Sequence, residues 1–292
     1  MAHELPEKSL IAEGIVVDTA TLNIYVTSIN EKKIVKISPD GKTSDFITSD
    51  QSGFGPGVGI KIDYKKNQLL ALSNFNQDSS RNSCLFAFNL ETGDRIGNYN
   101  ITGKHFWNDL IVTSDGFIYI TDSDNKAIYE FGPDRRTLVT FLDDERIAHP
   151  NGICLSKDEN IIYLATWRNG IIHIDRNTRE ILDLNSSEMI NDLALDGIVF
   201  YDNSIIGIQN GYQIKSKHRL VQYILNAEGS AIIEENVLDK NNPYFDVPTT
   251  VALADNVLYV IANSQLDNFD DELAQVNDTS ILKNTFILKY DL

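Results

Sequence analysis

Short runs of apolar residues recur along the whole chain, separated by Asp, Asn, Ser and Gly. β-Branched and aromatic residues dominate these runs, as they do in β-strands. The polar residues between the runs are those that form turns. No stretch shows the 3.6-residue periodicity of a long amphipathic helix. The pattern therefore predicts an all-β protein.

The apolar runs are organised in six repeats. Each repeat opens with one run, turns, continues with a second run and reaches a third after a variable loop. The repeats open at Glu13, Gly57, Asn108, Asn151, Asp196 and Thr249. These positions follow one another at steps of 44, 51, 43, 45 and 53 residues, near the roughly 40–50 residues of a four-stranded propeller blade. We predict one six-bladed β-propeller domain over residues 1–292, with four antiparallel strands per blade.

The sixth repeat ends at Leu292, directly after its third strand, and lacks a fourth strand. The stretch Lys8–Ile11 precedes the first repeat and has no other evident role. Since an unpaired sheet edge promotes aggregation, we expect this amino-terminal stretch to join the last blade and close the ring.

Composition narrows the possible partners. The chain has 42 acidic against 25 basic residues, a formal net charge of −17. Such a surface repels phosphate backbones and anionic lipid heads, so we expect no nucleic acid or membrane partner, and a monomer. The two cysteines, Cys84 and Cys154, lie inside apolar runs and are expected to be small buried residues.

The amino-terminal residues lack the apolar stretch of a signal peptide. Two localisations stay open: a cytoplasmic protein, and an exported protein whose signal has been removed.

Loop lengths favour one face of the propeller. Turns between first and second strands are short, whereas several loops between second and third strands are long, including Asn74–Ser83, Gln209–Arg219 and Ser264–Asn284. Long, irregular loops often carry function, although they also accumulate by drift at tolerated sites. We expect the functional site on the face with the long loops.

The residues that open the repeats should point towards the central channel on that same face. Four of the six carry oxygen donors: Glu13, Asn108, Asn151 and Asp196. Ca²⁺ binds six to eight oxygens, and two carboxylates balance its charge. No Cys or His occupies these positions, which argues against zinc and copper. The alternative is that these residues cap strands or bind channel water. That alternative would explain a single oxygen-bearing residue, but it explains four at equivalent repeat positions less well.

At these residues the chain resembles the calcium-dependent six-bladed propeller hydrolases. That superfamily includes the gluconolactonase and senescence-marker-protein (regucalcin) family, diisopropyl fluorophosphatase, the paraoxonases and bacterial lactonases related to drug-responsive protein 35. The matching pieces are Ala12-Glu13-Gly14, Trp107-Asn108-Asp109, Pro150-Asn151-Gly152 and Leu195-Asp196-Gly197. The resemblance implies that Glu13, Asn108, Asn151 and Asp196 hold a catalytic Ca²⁺. It also implies that Asp196 acts as nucleophile or general base.

The resemblance is incomplete in the second repeat, where Gly57-Val58-Gly59 stands at the place of a functional histidine of the paraoxonases. Elsewhere, His105 and His149 lie just before Asn108 and Asn151 and are candidates for proton transfer at neutral pH. The alternative is that both are rim residues without a chemical role.

We therefore expect a calcium-dependent hydrolase of small-molecule lactones or related esters. The sequence does not separate lactonase from phosphotriesterase or arylesterase activity. Two other functions stay open: a non-catalytic ligand- or protein-binding propeller of the NHL or YWTD type, and a metal-free enzyme like strictosidine synthase. The ring of channel carboxylates and amides disfavours both of these functions. The fold alone does not decide among the three functions.

Overall fold

The structure is a computed structural model that describes residues 3–49, 51–77, 80–184, 195–211, 215–270 and 274–292. The first half of the strands comprises β1 His3–Leu5, β2 Ala12–Val17, β3 Ile24–Ser28, β4 Ile34–Ile37, β5 Thr43–Ile47, β6 Gly57–Asp63, β7 Gln68–Gln77, β8 Ser80–Asn89, β9 Arg95–Ile101, β10 Trp107–Val112, β11 Ile118–Asp122, β12 Ala127–Phe131 and β13 Leu138–Asp143. The second half comprises β14 Pro150–Leu155, β15 Ile161–Thr166, β16 Gly170–Asp175, β17 Ile181–Asp183, β18 Leu195–Tyr201, β19 Ser204–Gln209, β20 Arg219–Leu225, β21 Ile232–Lys240, β22 Val251–Ala254, β23 Val257–Ile261, β24 Phe269–Asp270, β25 Gln275–Val276 and β26 Thr285–Asp291.

Helical structure in the described residues is limited to single 3₁₀ turns, at Gln51–Gly53, Glu145–Ile147, Lys215–Lys217, Leu266–Asn268 and Thr279–Ile281. No described helix is long and apolar enough to cross a membrane.

The strands form six four-stranded antiparallel sheets, which are the six blades. In strand order they are β2-β3-β4-β5, β6-β7-β8-β9, β10-β11-β12-β13, β14-β15-β16-β17, β18-β19-β20-β21 and β22-β23-β26-β1, here called blades 1 to 6. Strands β24 and β25 form a small separate hairpin. The predicted fold class, an all-β six-bladed propeller, is confirmed.

The blades divide between two compact units. Unit 1 contains Met1–Trp107 and Asp246–Leu292, with blades 1, 2 and 6, and unit 2 contains Asn108–Phe245, with blades 3, 4 and 5. That all of residues 1–292 form one domain stays a prediction. Inside each unit, aliphatic and aromatic side chains of neighbouring blades pack into buried clusters. Both cysteines are buried, as predicted, and neither forms a disulfide.

An amino-terminal strand does complete blade 6, but its predicted residues were wrong. Strand β1 pairs with β26 through His3↔Ile287 and Leu5↔Thr285. The predicted stretch Lys8–Ile11 instead leads into blade 1, where the backbone oxygen of Ile11 accepts a hydrogen bond of 3.1 Å from the amide of Ile29. Leu10 and Ile11 are fully buried there, whereas β1 includes half-buried and exposed side chains, which suits an outer strand.

The loop predicted over Asn74–Ser83 is largely strand. β7 runs on to Gln77 and β8 begins at Ser80, in continuous antiparallel register. Ser, Asn and Gln predicted a loop because they are common in turns, yet the paired backbone of β7 and β8 contains them. Parts of the other two predicted loops, residues 212–214 and 271–273, lie outside the described residues.

Candidate metal centre

The four candidate ligands come from the first strand of their blades, and three of them lie in a β-bulge. In blade 1, Ala12 pairs with Ser28 and Ile15 with Val26, so two residues of β2 face one residue of β3. The same irregularity occurs in blades 4 and 5. The two-residue stretches are Glu13-Gly14, Asn151-Gly152 and Asp196-Gly197. Bulges redirect side chains out of the strand's regular alternation, so these blades present their oxygen donors in the same way.

Blade 2 has this bulge too, but without an oxygen donor. Gly57 pairs with Ser73 and Ile60 with Ala71, which leaves Val58 and Gly59 in the bulge. The residue that corresponds to Glu13 is therefore Val58, one position later than the sequence repeat placed it. Repeat spacing missed this because the segments between blades differ in length, so the repeats could be aligned one residue out of place. The side chain of Val58 is apolar and buried.

Glycine follows the bulge donor in blades 1 and 4 because the backbone of the next blade comes very close. A Cβ atom on Gly14 would lie 2.2 Å from the backbone oxygen of Val58. A Cβ atom on Gly152 would lie 2.4 Å from the backbone oxygen of Asp196. These approaches are shorter than any real Cβ contact, so only glycine fits. They fix the spacing between successive bulges.

In unit 2 the bulges of Asn151 and Asp196 lie next to each other, and the side chain of Asn151 lowers the pKa of the Asp196 carboxyl. Nδ2 of Asn210 donates to Oδ2 of Asp196 at 2.7 Å. In blade 3, Nδ2 of the half-buried Asn108 donates to Oγ of Ser123 at 3.1 Å. The nitrogen end of Asn108 is thus bound to the protein. The side-chain oxygens of Asn108 and Asn151 are the atoms suited to a hard cation.

The surroundings of Asp196 raise the pKa of its carboxyl to about 8. Burial is the main cause, because it disfavours the charged form, and the nearby Asp109 carboxylate adds to it. Hydrogen bonds from Asn151, the amide of Gly197 and Asn210 oppose the shift. The groups that stabilise the carboxylate are thus neutral amides, and a divalent cation would supply the missing positive charge.

Glu13 lies in unit 1 and is also buried, with 8% of its surface exposed. Its backbone oxygen accepts a hydrogen bond of 3.1 Å from Oγ1 of Thr249, the residue that opens the sixth repeat. Thr249 therefore holds the backbone of a candidate ligand.

Within the described residues, no three His, Cys, Asp or Glu side chains are grouped so that they could hold a metal ion. A metal at these bulges would depend on amide oxygens as well as carboxylates. This donor set fits Ca²⁺ and not Zn²⁺, which prefers nitrogen and sulfur ligands.

Several residues that support the candidate ligands were not singled out by the sequence. Asp109 is buried at the position that Gly14 and Gly152 occupy in their blades, and its carboxylate accepts hydrogen bonds from the amides of Leu110 at 2.8 Å and Ile153 at 3.3 Å. The sequence feature that could have identified Asp109 is a carboxylate where most of the other repeats have glycine. Asn210 follows strand β19, and no sequence pattern marks it.

The two candidate histidines have different surroundings. His105 is half-buried in the segment before β10. His149 is exposed, adopts a left-handed backbone with φ of 51°, and lies with its ring 6.4 Å from that of Trp167. A proton-transfer role for either one stays a prediction.

Fold and bulges together define a β-propeller with repeated oxygen donors in the first strands of its blades. The family described as SMP-30/Gluconolactonase/LRE-like region matches residues 11–199, more than half of the chain, and the chain belongs to this family. The matched region contains all four candidate ligands. A comparison with curated proteins found no match.

Solved structures show the same fold at low sequence identity. A luciferin-regenerating enzyme is 15% identical with a TM-score of 0.65, over 97% of this chain and 91% of that one. A gluconolactonase from Xanthomonas campestris is 14% identical with a TM-score of 0.65, over 89% and 85%. Regucalcin from Agrobacterium tumefaciens, described as a calcium-binding protein, is 17% identical with a TM-score of 0.64, over 98% and 93%.

Proposed function

We propose that this protein is a calcium-dependent hydrolase of lactones or related small esters. The observation that carries the proposal is that Asn151 and Asp196 occupy equivalent bulges of neighbouring blades whose backbones come into close approach at Gly152. Membership of the SMP-30/gluconolactonase family supports the enzyme class. The calcium-binding regucalcin and the gluconolactonase among the similar structures support the cation and the substrate class.

Glu13, Asn108, Asn151 and Asp196 would hold the cation, with substrate and water completing its shell. A bound Ca²⁺ would supply a Lewis acid that polarises the carbonyl oxygen of the ester. Asp196 would remove a proton from the water that attacks the carbonyl carbon, and the carbon–oxygen bond to the leaving alkoxide would then break. In a lactone this opens the ring.

Two features of the chain suit Asp196 to that role. Asn210 binds its Oδ2 atom and so fixes the plane of the carboxylate. Burial raises the pKa of the metal-free carboxyl, and a bound Ca²⁺ would lower that pKa and keep Asp196 in the carboxylate form that a base requires.

A panel of simple lactones, aryl esters and phosphotriesters, assayed with Ca²⁺ and with chelator, tests the proposal. We expect turnover of at least one lactone with Ca²⁺ and its loss with chelator. At saturating Ca²⁺, Glu13→Gln should recover part of the activity because it keeps the Asp196 base. Asp196→Asn should stay about 10²–10⁴-fold slower, since a general base contributes that much.

Absence of any metal-dependent turnover would sink the enzyme proposal and favour a non-catalytic binding propeller, as would an Asp196→Asn variant as fast as the wild type. His105→Gln and His149→Gln belong in the same assay. A rate unchanged in both variants assigns the two histidines to the rim.

A further inference from the structure

The hydroxyl of Thr121, in the second strand of blade 3, links the backbone beside one candidate ligand to the backbone of another. Thr121 is fully buried. Its Oγ1 accepts a hydrogen bond of 2.9 Å from the amide of Asp109, the residue after Asn108. The hydroxyl proton faces the backbone oxygens of Asn151 at 2.9 Å and Asp109 at 3.2 Å. One side chain thereby connects the backbone beside Asn108 with that of Asn151.

Ser123, two residues further on, makes a second connection between the same two blades. Its Oγ donates to the backbone oxygen of Pro150 at 2.6 Å and accepts from Nδ2 of Asn108 at 3.1 Å. Ser123 therefore orients the side chain of one candidate ligand while it binds the residue that precedes the other. Thr121 and Ser123 together form what we call the blade 3 hydroxyl pair.

Blade 1 contains a close counterpart of Thr121. Oγ1 of Thr27 accepts from the amide of Gly14 at 2.9 Å and donates to the backbone oxygen of Val58 at 2.7 Å. Thr27 is as deeply buried as Thr121. The bulge that it reaches in the next blade carries an apolar valine and no candidate ligand. The two threonines thus make similar hydrogen bonds, but Thr121 alone of them joins two candidate ligands.

We infer that the blade 3 hydroxyl pair positions Asn108 and Asn151 for the cation, an inference that rests on the proposed calcium site. Neither hydroxyl needs to touch the cation, so both are positioning residues. Residues that orient metal ligands commonly change metal affinity about 10–100-fold when they are replaced. A buried hydroxyl that pairs an amide with a carbonyl also leaves both unsatisfied when it is removed.

Calcium affinity and folding stability, measured on the same variants, separate positioning from a general structural role. The variants are Thr121→Val, which keeps the side-chain shape, Thr121→Ser, which keeps the hydroxyl, and Thr27→Val as the matched control. We expect Thr121→Val to weaken Ca²⁺ binding about 10–100-fold in calorimetry and Thr121→Ser to restore most of that loss. Thr27→Val should lower the urea midpoint similarly but weaken binding less, because one of its two bulges carries no ligand.

Ser123→Ala provides an independent variant in case Thr121→Val does not fold. It removes the hydrogen bond to Asn108, and we expect at least about tenfold weaker Ca²⁺ binding. The inference is overturned if the wild type binds Ca²⁺ and either Thr121→Val or Ser123→Ala binds it equally well. It is also overturned if Thr27→Val loses as much affinity as Thr121→Val. A wild type that binds no Ca²⁺ refutes the calcium site itself, and this inference with it.

Discussion

Replacement of Gly152 by alanine tests the close approach of blades 4 and 5. The added Cβ would lie 2.4 Å from the backbone oxygen of Asp196, 2.8 Å from the amide nitrogen of Ile198 and 2.9 Å from Cα of Gly197. An ordinary contact begins near 3.4 Å, so the two bulges must separate by about 1 Å in a close-packed interior. All three obstacles are backbone atoms, which cannot rotate away as a side chain could. We expect a loss of about 3 kcal/mol in the free energy of unfolding, the upper part of the range for overpacking.

The matched control is Gly97→Ala in strand β9, where an added Cβ meets nothing within 4 Å. Both glycines have backbone angles outside the left-handed region, so steric contact is the main difference between the two variants. Urea unfolding should place Gly97→Ala within about 0.5 kcal/mol of the wild type. The hydrolytic rate should fall about 100-fold in Gly152→Ala alone, since displacements near 1 Å at a reacting group cost that much. Equal stability of the two variants would refute the packing argument.

Four further predictions concern the cation and the closure of blade 6. Because burial raises the pKa of Asp196 to about 8, Ca²⁺ binding at pH 7 should release about one proton, measured by calorimetry in two buffers; equal heats in both would contradict this. The same shift means that the metal-free fold loses stability as pH rises from about 4 to about 8, since the folded chain there holds a proton that the unfolded chain releases. Chelation should lower the melting temperature, because a cation at 100 times its dissociation constant stabilises the fold by about 2.7 kcal/mol; an unchanged melting curve would count against a bound cation. Leu5→Ala should cost about 2–5 kcal/mol in urea unfolding, since Leu5 is fully buried against blade 6, whereas Leu22→Ala, 44% exposed, should cost little, and similar losses in both would contradict the role of β1.

The fold could be predicted because the residues that define each blade are close together in the sequence. Alternating apolar strands and polar turns at a nearly constant spacing define blades without reference to distant contacts. Two of the three errors arose where the local pattern is ambiguous. Lys8–Ile11 and His3–Leu5 both precede the first blade, and both contain apolar residues that are buried in the fold. Gly57 was off by one residue because the segments between blades differ in length, whereas the strand pairing aligns Val58 with Glu13.

The candidate ligands could be found from sequence because each occupies the same place in its repeat. Their supporting residues could not be found in that way. Thr121 acts on the next blade through a backbone oxygen, and any residue can supply that partner. Asn210 reaches Asp196 across a strand pair, and Asp109 was noted only as a neighbour of Asn108. Contacts of this kind depend on proximity in the folded structure, and no regular spacing of residues in the sequence predicts them.

Calorimetric titration of the metal-stripped protein with Ca²⁺, compared with Glu13→Gln, tests the central claim most directly. The proposed set of two carboxylates and two amides predicts a single Ca²⁺ per chain in the wild type. Glu13→Gln removes one of the two charges that balance the cation, and we expect it to bind at least about tenfold more weakly, with the stoichiometry preserved at high concentration. A wild type that takes up no Ca²⁺, or a Glu13→Gln variant with unchanged affinity, would contradict the assignment.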